Sequence, residues 1–284
     1  MKVARTRRRR QVIVPLALSV IATTAGTANA QVATKSSPFP CQASGTEKPV
    51  IILVHGAWAG TSSWNGEVNA LQEAGYVARA VPNPLRSLTT DAAAVADYLR
   101  TISGPIVLVG HSYGGSVITN AAAGNPSVKA LVYVDAVAPD IGETTGQLSG
   151  SGSVLNENPA SLYYDVSYPG APKGVKDLYL QQEIFVRSFA SDQPRDVAMR
   201  LWASQRPAST TAFTTPSKTA AWKTIPSWAF ISSSDQIITP ASKLAMAHRA
   251  HAKITEFQGG SHLTLISHPD EVTAVIASAV CSVR

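Results

Sequence analysis

The chain is short of cysteine, short of acid at its start, and short of any apolar run that could span a bilayer. Each shortage excludes something. Residues 1–30 hold no Asp or Glu, while Lys2, Arg5, Arg7, Arg8, Arg9 and Arg10 all fall in the first ten positions. The other 18 basic residues are matched by 18 acidic ones. The net charge of +6 therefore belongs to the leader and gives the body no case for nucleic acid as a partner. The apolar stretch at residues 12–22 falls far short of the ~20 residues that a spanning helix needs, so no membrane span is expected.

What is present at the start is a basic region, a short hydrophobic region and Ala28-Asn29-Ala30, an A-x-A cleavage pattern. Residues 1–30 read as a signal peptide and residues 31–48, with Pro38, Pro40 and Gly45, as an extended lead-in. Export, to the periplasm or beyond, is the expectation. Arg9-Arg10-Gln11-Val12-Ile13 is similar to a twin-arginine signal, but a plain excess of arginine has the same look, so the route stays open. Only two cysteines exist, Cys41 and Cys281, near the two ends of the mature chain. In an oxidising compartment such a pair suggests a disulfide.

A hydrophobic content of 45% is ample for a core. Apolar runs at 50–54, 77–81, 106–109 and 129–134 read as buried strands, separated by helical spacing at 64–74 and 89–102 and by a helix ending near Gly124. Thr90 or Asp91 is the expected cap of the second helix. Strands that are apolar throughout, alternating with helices, predict a doubly wound, mainly parallel α/β sheet. The rhythm breaks at residues 139–221 and resumes with strands at 228–231 and 253–257 and helices from Pro240 and Pro269. Residues 49–284 thus read as one domain with a helical lid insertion. Helices are expected there at 176–189 and 194–203, and residues 142–152 have the composition of a hinge. Tyr163, Tyr164, Tyr168, Tyr179, Phe185, Phe189, Trp202 and Phe213 are concentrated in the insertion.

The chemistry sits at "GHSYGG", residues 110–115. A serine hydroxyl is a weak nucleophile unless it protrudes beside a base. A sharp strand-to-helix turn exposes it and needs small neighbours, which Gly110 and Gly114 supply around Ser112 as G-x-S-x-G. Gly115 lets the helix pack closely. The base and orienting acid should follow in the order Asp, His. Asp235 follows one strand and His262 follows the next, both where open α/β sheets place their sites. Asp135 also ends a strand and is the rival acid; Asp235 is favoured. His111 reads as structural, His268 as a surface or capping residue, and His248 and His251 as solvated. Tyr113 and, after the first strand, Ala57 are the expected backbone donors of an oxyanion hole, with His55 and Gly56 shaping that loop.

These segments together resemble the α/β-hydrolase superfamily over roughly residues 49–280, closest to the compact esterase branch with plant methylesterases and hydroxynitrile lyases. His55-Gly56-Ala57-Trp58, residues 110–115 and Gly259-Gly260-Ser261-His262 carry the resemblance. It implies a Ser-His-Asp triad, no cofactor, and a small-molecule ester as substrate. Lyases of that branch have a lysine after the catalytic histidine, where this chain has Leu263, which weakens a cyanide-releasing reading. Aspartate-nucleophile members are excluded by Ser112. Perhydrolase chemistry and a small-ligand receptor on the same fold are the remaining alternatives. Acyl preference and oligomeric state are not legible.

Overall fold

The structure is a computed structural model that describes residues 47–283. The leader, most of the lead-in and Cys41 therefore lie outside the described residues.

Val50–Val54 forms β1, Ala78–Val81 β2, Ile106–His111 β3, Val128–Val134 β4, Ser227–Ser232 β8 and Lys253–Phe257 β9. They make one six-stranded sheet in the order β2-β1-β3-β4-β8-β9, and every pairing is parallel. The central strands are β-branched and aliphatic because both faces are covered: Ile51, Ile52, Leu53, Val54 and residues 106–109 are fully buried. The helices Asn65–Glu73 (α1), Leu88–Leu99 (α2) and Tyr113–Ala121 (α3) connect the first four strands. Ser87, rather than Thr90 or Asp91, caps α2, its side chain accepting from the Thr90 N–H at 3.2 Å. Asp91 faces inward instead and accepts the N–H of Arg86 and the hydroxyl of Tyr113.

The chain runs from β1 outward to β2, then returns past β1 to β3. That reversal opens a crevice at the carboxyl ends of β1 and β3, where α/β sheets bind ligands. Backbone strain collects on the same side. Trp58, Leu85, Ser112 and Asp135, all non-glycine and all shortly after a strand, have φ between 43° and 59°.

Between β4 and β8 lies the insertion. It contains a second, antiparallel sheet of Tyr163–Val166 (β5), Asp177–Leu180 (β6) and Ala208–Ser209 (β7), and a helix at Arg195–Ala203. The helix expected at 176–189 is a correction. Asp177–Leu180 is a strand, Tyr179 pairs with Tyr164, and helical turns begin only at Gln182 and pass into a π turn at Phe185–Phe189. A pairing partner distant in sequence overrode the local spacing. The expected hinge is a second correction. Thr145, Ser149 and Ser153 are buried, and Ser149 O, Leu148 O and the Ser153 hydroxyl bond to Thr239, Ser242 and Ile237. Residues 148–154 are thus clamped to the loop that follows β8 and to the first turn of the helix Pro240–Arg249.

Candidate active site

Ser112 stands at the turn from β3 into α3 with φ 55°, a conformation that costs an L-residue on the order of 1–3 kcal/mol. The turn is tight. A Cβ on Gly114 would lie 2.4 Å from Val54 O, and one on Gly110 2.6 Å from Gly114 O, so glycine is required at both positions. The result is a hydroxyl at the N-terminus of α3, with Ser112 6% exposed.

His262 and Asp235 meet it from the next strand ends. Ser112 Oγ lies 2.7 Å from His262 Nε2, and His262 Nδ1 lies 2.9 Å from Asp235 Oδ2. The other Asp235 oxygen accepts the N–H groups of Ile237 at 2.8 Å and Ile238 at 3.2 Å, which fixes the carboxylate. Burial opposes ionisation of Asp235, but His262 and Lys243 beside it hold the carboxyl well below its usual range. This arrangement can take a proton from a hydroxyl and hold the resulting imidazolium.

Asp135, the rival acid, is buried but bonds elsewhere: to Ser232 N at 2.7 Å, Ser232 Oγ at 2.6 Å and Lys243 Nζ at 2.5 Å. Burial raises its pKa, and Lys243 only partly offsets that. His111 donates from Nε2 to the backbone oxygen of His262 at 2.8 Å, and burial, then the charge of His262, holds it well below the ordinary imidazole range. His268 stands at the N-cap position of the final helix, Pro269–Val280, but its side chain bonds Ser267 Oγ at 2.9 Å rather than the helix N–H groups. His248 and His251 are exposed.

The loop after β1 abuts the nucleophile: a Cβ on Gly56 would fall 2.6 Å from Ser112 Cβ. Ala57 follows and is buried, as is the ring of Tyr113, whose hydroxyl donates to Asp91 Oδ2 at 2.7 Å. His55 holds the loop. Its Nδ1 donates to Gly56 O at 2.8 Å, and Nε2 accepts from Asn83 N at 3.2 Å and Arg206 Nη1 at 2.8 Å. Burial first, with Arg206 adding to it, lowers His55 to about 4.

The insertion reaches the site by aromatic rings. Trp58 stacks on Phe213 at 5.2 Å and Tyr163 at 5.9 Å and meets Phe189 edge-on at 5.8 Å. Phe189 lies 5.0 Å from the His262 ring. Of the other expected aromatics, Phe185 packs on Phe189, Tyr168 on Arg86, and Tyr164 is exposed.

Two residues at the site escaped the sequence reading. Asp192, from the insertion, accepts from Ser261 N at 2.9 Å and from the hydroxyls of Ser261 and Ser267 at 2.5 Å, gripping the histidine loop on both sides of His262. Lys243 joins the two aspartates. A lone acid in a polar stretch and a lysine on an amphipathic helix carry no local signal of either role.

Among the described residues no group of three or more His, Cys, Asp or Glu could hold a metal ion, and no helix is long and apolar enough to cross a membrane.

A family model described as "Alpha/beta hydrolase family" matches residues 51–275. The alpha/beta hydrolase nvfD of Aspergillus novofumigatus is 29% identical over 265 residues, covering 82% of this chain and 96% of that protein. A carbendazim hydrolyzing esterase of a Nocardioides species is 33% identical over 109 residues, 33% of this chain and 44% of that protein. Among solved structures, polyneuridine aldehyde esterase superposes with a TM-score of 0.69 at 16% identity, covering 82% of this chain and 99% of that one. A pyrethroid hydrolase from Sphingobium faniae gives 0.64 at 22%, covering 83% and 98%. An extracellular alpha/beta-hydrolase from a Paenibacillus species gives 0.66 at 19%, covering 81% and 98%.

Proposed function

The chain belongs to the alpha/beta hydrolase family, and from that premise we propose that it is an exported serine hydrolase that cleaves carboxylic esters of small molecules through an acyl-enzyme on Ser112. One observation carries this reading: the 2.7 Å contact between Ser112 Oγ and His262 Nε2, with Asp235 2.9 Å behind it.

His262 accepts the Ser112 proton as Oγ attacks the ester carbonyl carbon. Asp235 holds the tautomer with Nδ1 protonated and stabilises the imidazolium that forms. The carbonyl oxygen, now negative, is met by the backbone N–H groups of Ala57 and Tyr113 and by the N-terminus of α3. His262 returns its proton to the departing alkoxide. Water then attacks the acyl-enzyme along the same path and releases the acid. The names of the carbendazim hydrolyzing esterase and the pyrethroid hydrolase support hydrolysis of small molecules. The aromatic cover of Tyr163, Phe189 and Phe213 suits an apolar acyl or alcohol group, and the insertion at 139–221 acts as the lid that selects it. Leu263 is buried and apolar, so no cation is supplied beside His262 from that position for a lyase reaction.

The test is a panel of p-nitrophenyl esters of increasing acyl length, with a serine-reactive phosphonate as control. Rapid p-nitrophenol release and phosphonate labelling of Ser112 are expected. Tight ligand retention without turnover would favour a receptor instead. The export reading adds cleavage after Ala30 and a Cys41–Cys281 disulfide in the mature chain, both checked by N-terminal mass spectrometry and non-reducing peptide mapping of the secreted protein.

A further inference from the structure

Behind the Asp235 carboxylate lies a cation that takes no part in the mechanism above. Lys243, on the helix Pro240–Arg249, is 2% exposed. Its ammonium donates to Asp135 Oδ1 at 2.5 Å, Asp235 Oδ2 at 2.7 Å and Ser232 O at 3.3 Å, so its three protons are all committed. A continuous buried line therefore runs Asp135, Lys243, Asp235, His262, Ser112. Its two acids follow β4 and β8, neighbours in the sheet. We propose that Lys243 is a positioning residue for the reaction at Ser112 and that Asp135 is its counter-ion, the pair together setting how much negative charge Asp235 offers His262. This inference rests on the serine hydrolase reading.

The physical case is a balance of charges among side chains that are all buried. Two buried carboxylates without a cation between them cannot both ionise, so one would hold a proton through the neutral range. Lys243 eases that conflict, though burial still holds Asp135 above its ordinary range. A lysine with only one acid beside it would create the opposite one: Asp235 Oδ2 accepts from both Lys243 and His262, so an unshared ammonium would draw its charge away from the imidazole. Asp135 supplies the second negative charge. With both acids ionised the trio carries one net negative charge, which favours an imidazolium at His262. Burial alone would discharge Lys243, but the two carboxylates outweigh it and hold the ammonium above its ordinary range.

Among the described residues, no other charge bonds the His262 ring. Facing the His262 ring from the β3 turn are the Ser112 hydroxyl and the His111 ring, 4.8 Å away and held neutral by burial. From the insertion come Phe189, which is uncharged, and Asp192, which bonds Ser261 rather than the ring. Among the described residues, the side chains of Lys243 and Asp135 bond, beyond each other and Asp235, to Ser232, at its carbonyl and at its N–H and hydroxyl respectively.

The experiment compares wild type with Asp135→Asn, Lys243→Met and the double variant by two readouts. One is the pH profile of kcat/KM on p-nitrophenyl acetate. The other is the pH titration of the downfield His262 Nδ1–H signal by NMR, which needs no substrate. Asp135→Asn deletes a negative charge while keeping the shape, so the His262 midpoint and the acid limb of the rate should both fall by about one pH unit. Lys243→Met should lose about tenfold or more at neutral pH as the two acids share a proton. Adding Asp135→Asn to it removes the surplus acid, and the double variant should regain most of that loss. A merely structural lysine predicts the reverse, a double variant worse than either single one. An unmoved His262 midpoint in Asp135→Asn, or a double variant no better than Lys243→Met, overturns the proposal. If Lys243→Met does not fold, the Asp135→Asn midpoint decides alone. A wild type inert toward every ester would instead sink the hydrolase reading, and the NMR titration would still judge the charge balance.

Discussion

The sheet body and the insertion meet around Ser112, and they hold their side chains by different means. In the body, a parallel sheet whose central strands are buried on both faces fixes the backbone, and Ser112, Asp135, Asp235 and His262 all stand within a few residues of a strand end. Their positions follow from register, and strain such as φ 55° at Ser112 is tolerated because the flanking ladder over-determines it. The insertion has only four-residue strands and one two-residue strand in its own sheet. It is tied to the body by scattered contacts, among them Trp58 Nε1 to Leu178 O at 2.9 Å, Asp192 to the histidine loop, Arg206 to His55, the Arg86–Asp177 ion pair, the clamp at residues 148–154 and the aromatic stack. A scaffold built on ladders can hold reacting atoms to a fraction of an ångström. A cover built on separable side-chain contacts can change its lining without disturbing them. Chemistry should therefore fail abruptly when the body is altered and drift when the insertion is.

The largest effect should come from Ser112→Ala, which removes the hydroxyl proposed to attack and leaves the turn in place. A loss of about 10⁴–10⁶-fold in kcat on p-nitrophenyl acetate is expected, with an unchanged circular dichroism spectrum. Residual activity near wild type would mean that the reaction runs elsewhere. Next is Asp235→Asn, which favours the wrong tautomer of His262 and should cost roughly 10⁴-fold at neutral pH. Asp135→Asn should cost about tenfold or less, because Asp135 acts only through Lys243. Inverted magnitudes would move the orienting acid from β8 to β4.

This division also explains what could be read from the residues alone. The body was legible because its signals are local: an apolar run fixes a buried strand, and G-x-S-x-G needs only its two neighbouring glycines. Asp235 was legible because it follows such a run, and His262 because it sits in a Gly-Gly loop after the next strand, Lys253–Phe257. In the insertion, residues 177–180 carry spacing compatible with a helix, and only pairing with Tyr163–Val166 turns them into a strand. Residues 142–152 are rich in glycine and serine, yet the carbonyls of Leu148 and Ser149, with the Ser153 hydroxyl just beyond them, bond the loop after β8 and the start of the helix Pro240–Arg249. Lys243 is the sharpest failure. On its helix it looks like any solvated lysine, and nothing nearby in sequence announces that Asp135, 108 positions away, closes on it.

A gentler probe of the cover is Phe189→Ala or Phe213→Ala. Each ring contacts Trp58, and Phe189 also contacts His262, so truncation opens space beside the loop after β1. The acyl-chain preference, measured as the ratio of kcat/KM for octanoate to acetate esters, should change by about 10-fold, since a pocket gains or loses roughly 1–3 kcal/mol with a group of this size. Acetate turnover should change less. Equal losses on every ester would show that these rings serve folding, and the contrast between the two regions would disappear.

An effect on stability rather than on rate lies where body and insertion are joined by a titrating group. His55 is fully buried and neutral, accepting from Arg206 of the insertion and from Asn83 N–H. Burial, then Arg206, lowers it from 6.5 to about 4. In the unfolded chain it would protonate near 6.5. The folded state thus disfavours the proton, so the contribution of His55 is fully present above pH 6.5 and is lost as the pH falls toward 4. His111, also held neutral by burial, adds in the same direction. Between pH 7.5 and 5 the His55 share amounts to about 2 kcal/mol of unfolding free energy. Urea unfolding at those two pH values measures it. His55→Gln keeps a polar group beside Arg206 and removes the titration, so its stability should be lower at pH 7.5 yet fall less on acidification. A variant that loses as much as wild type between the two pH values would show that His55 is not the acid-sensitive joint. The slope would then belong to His111, which His111→Asn should flatten in its place.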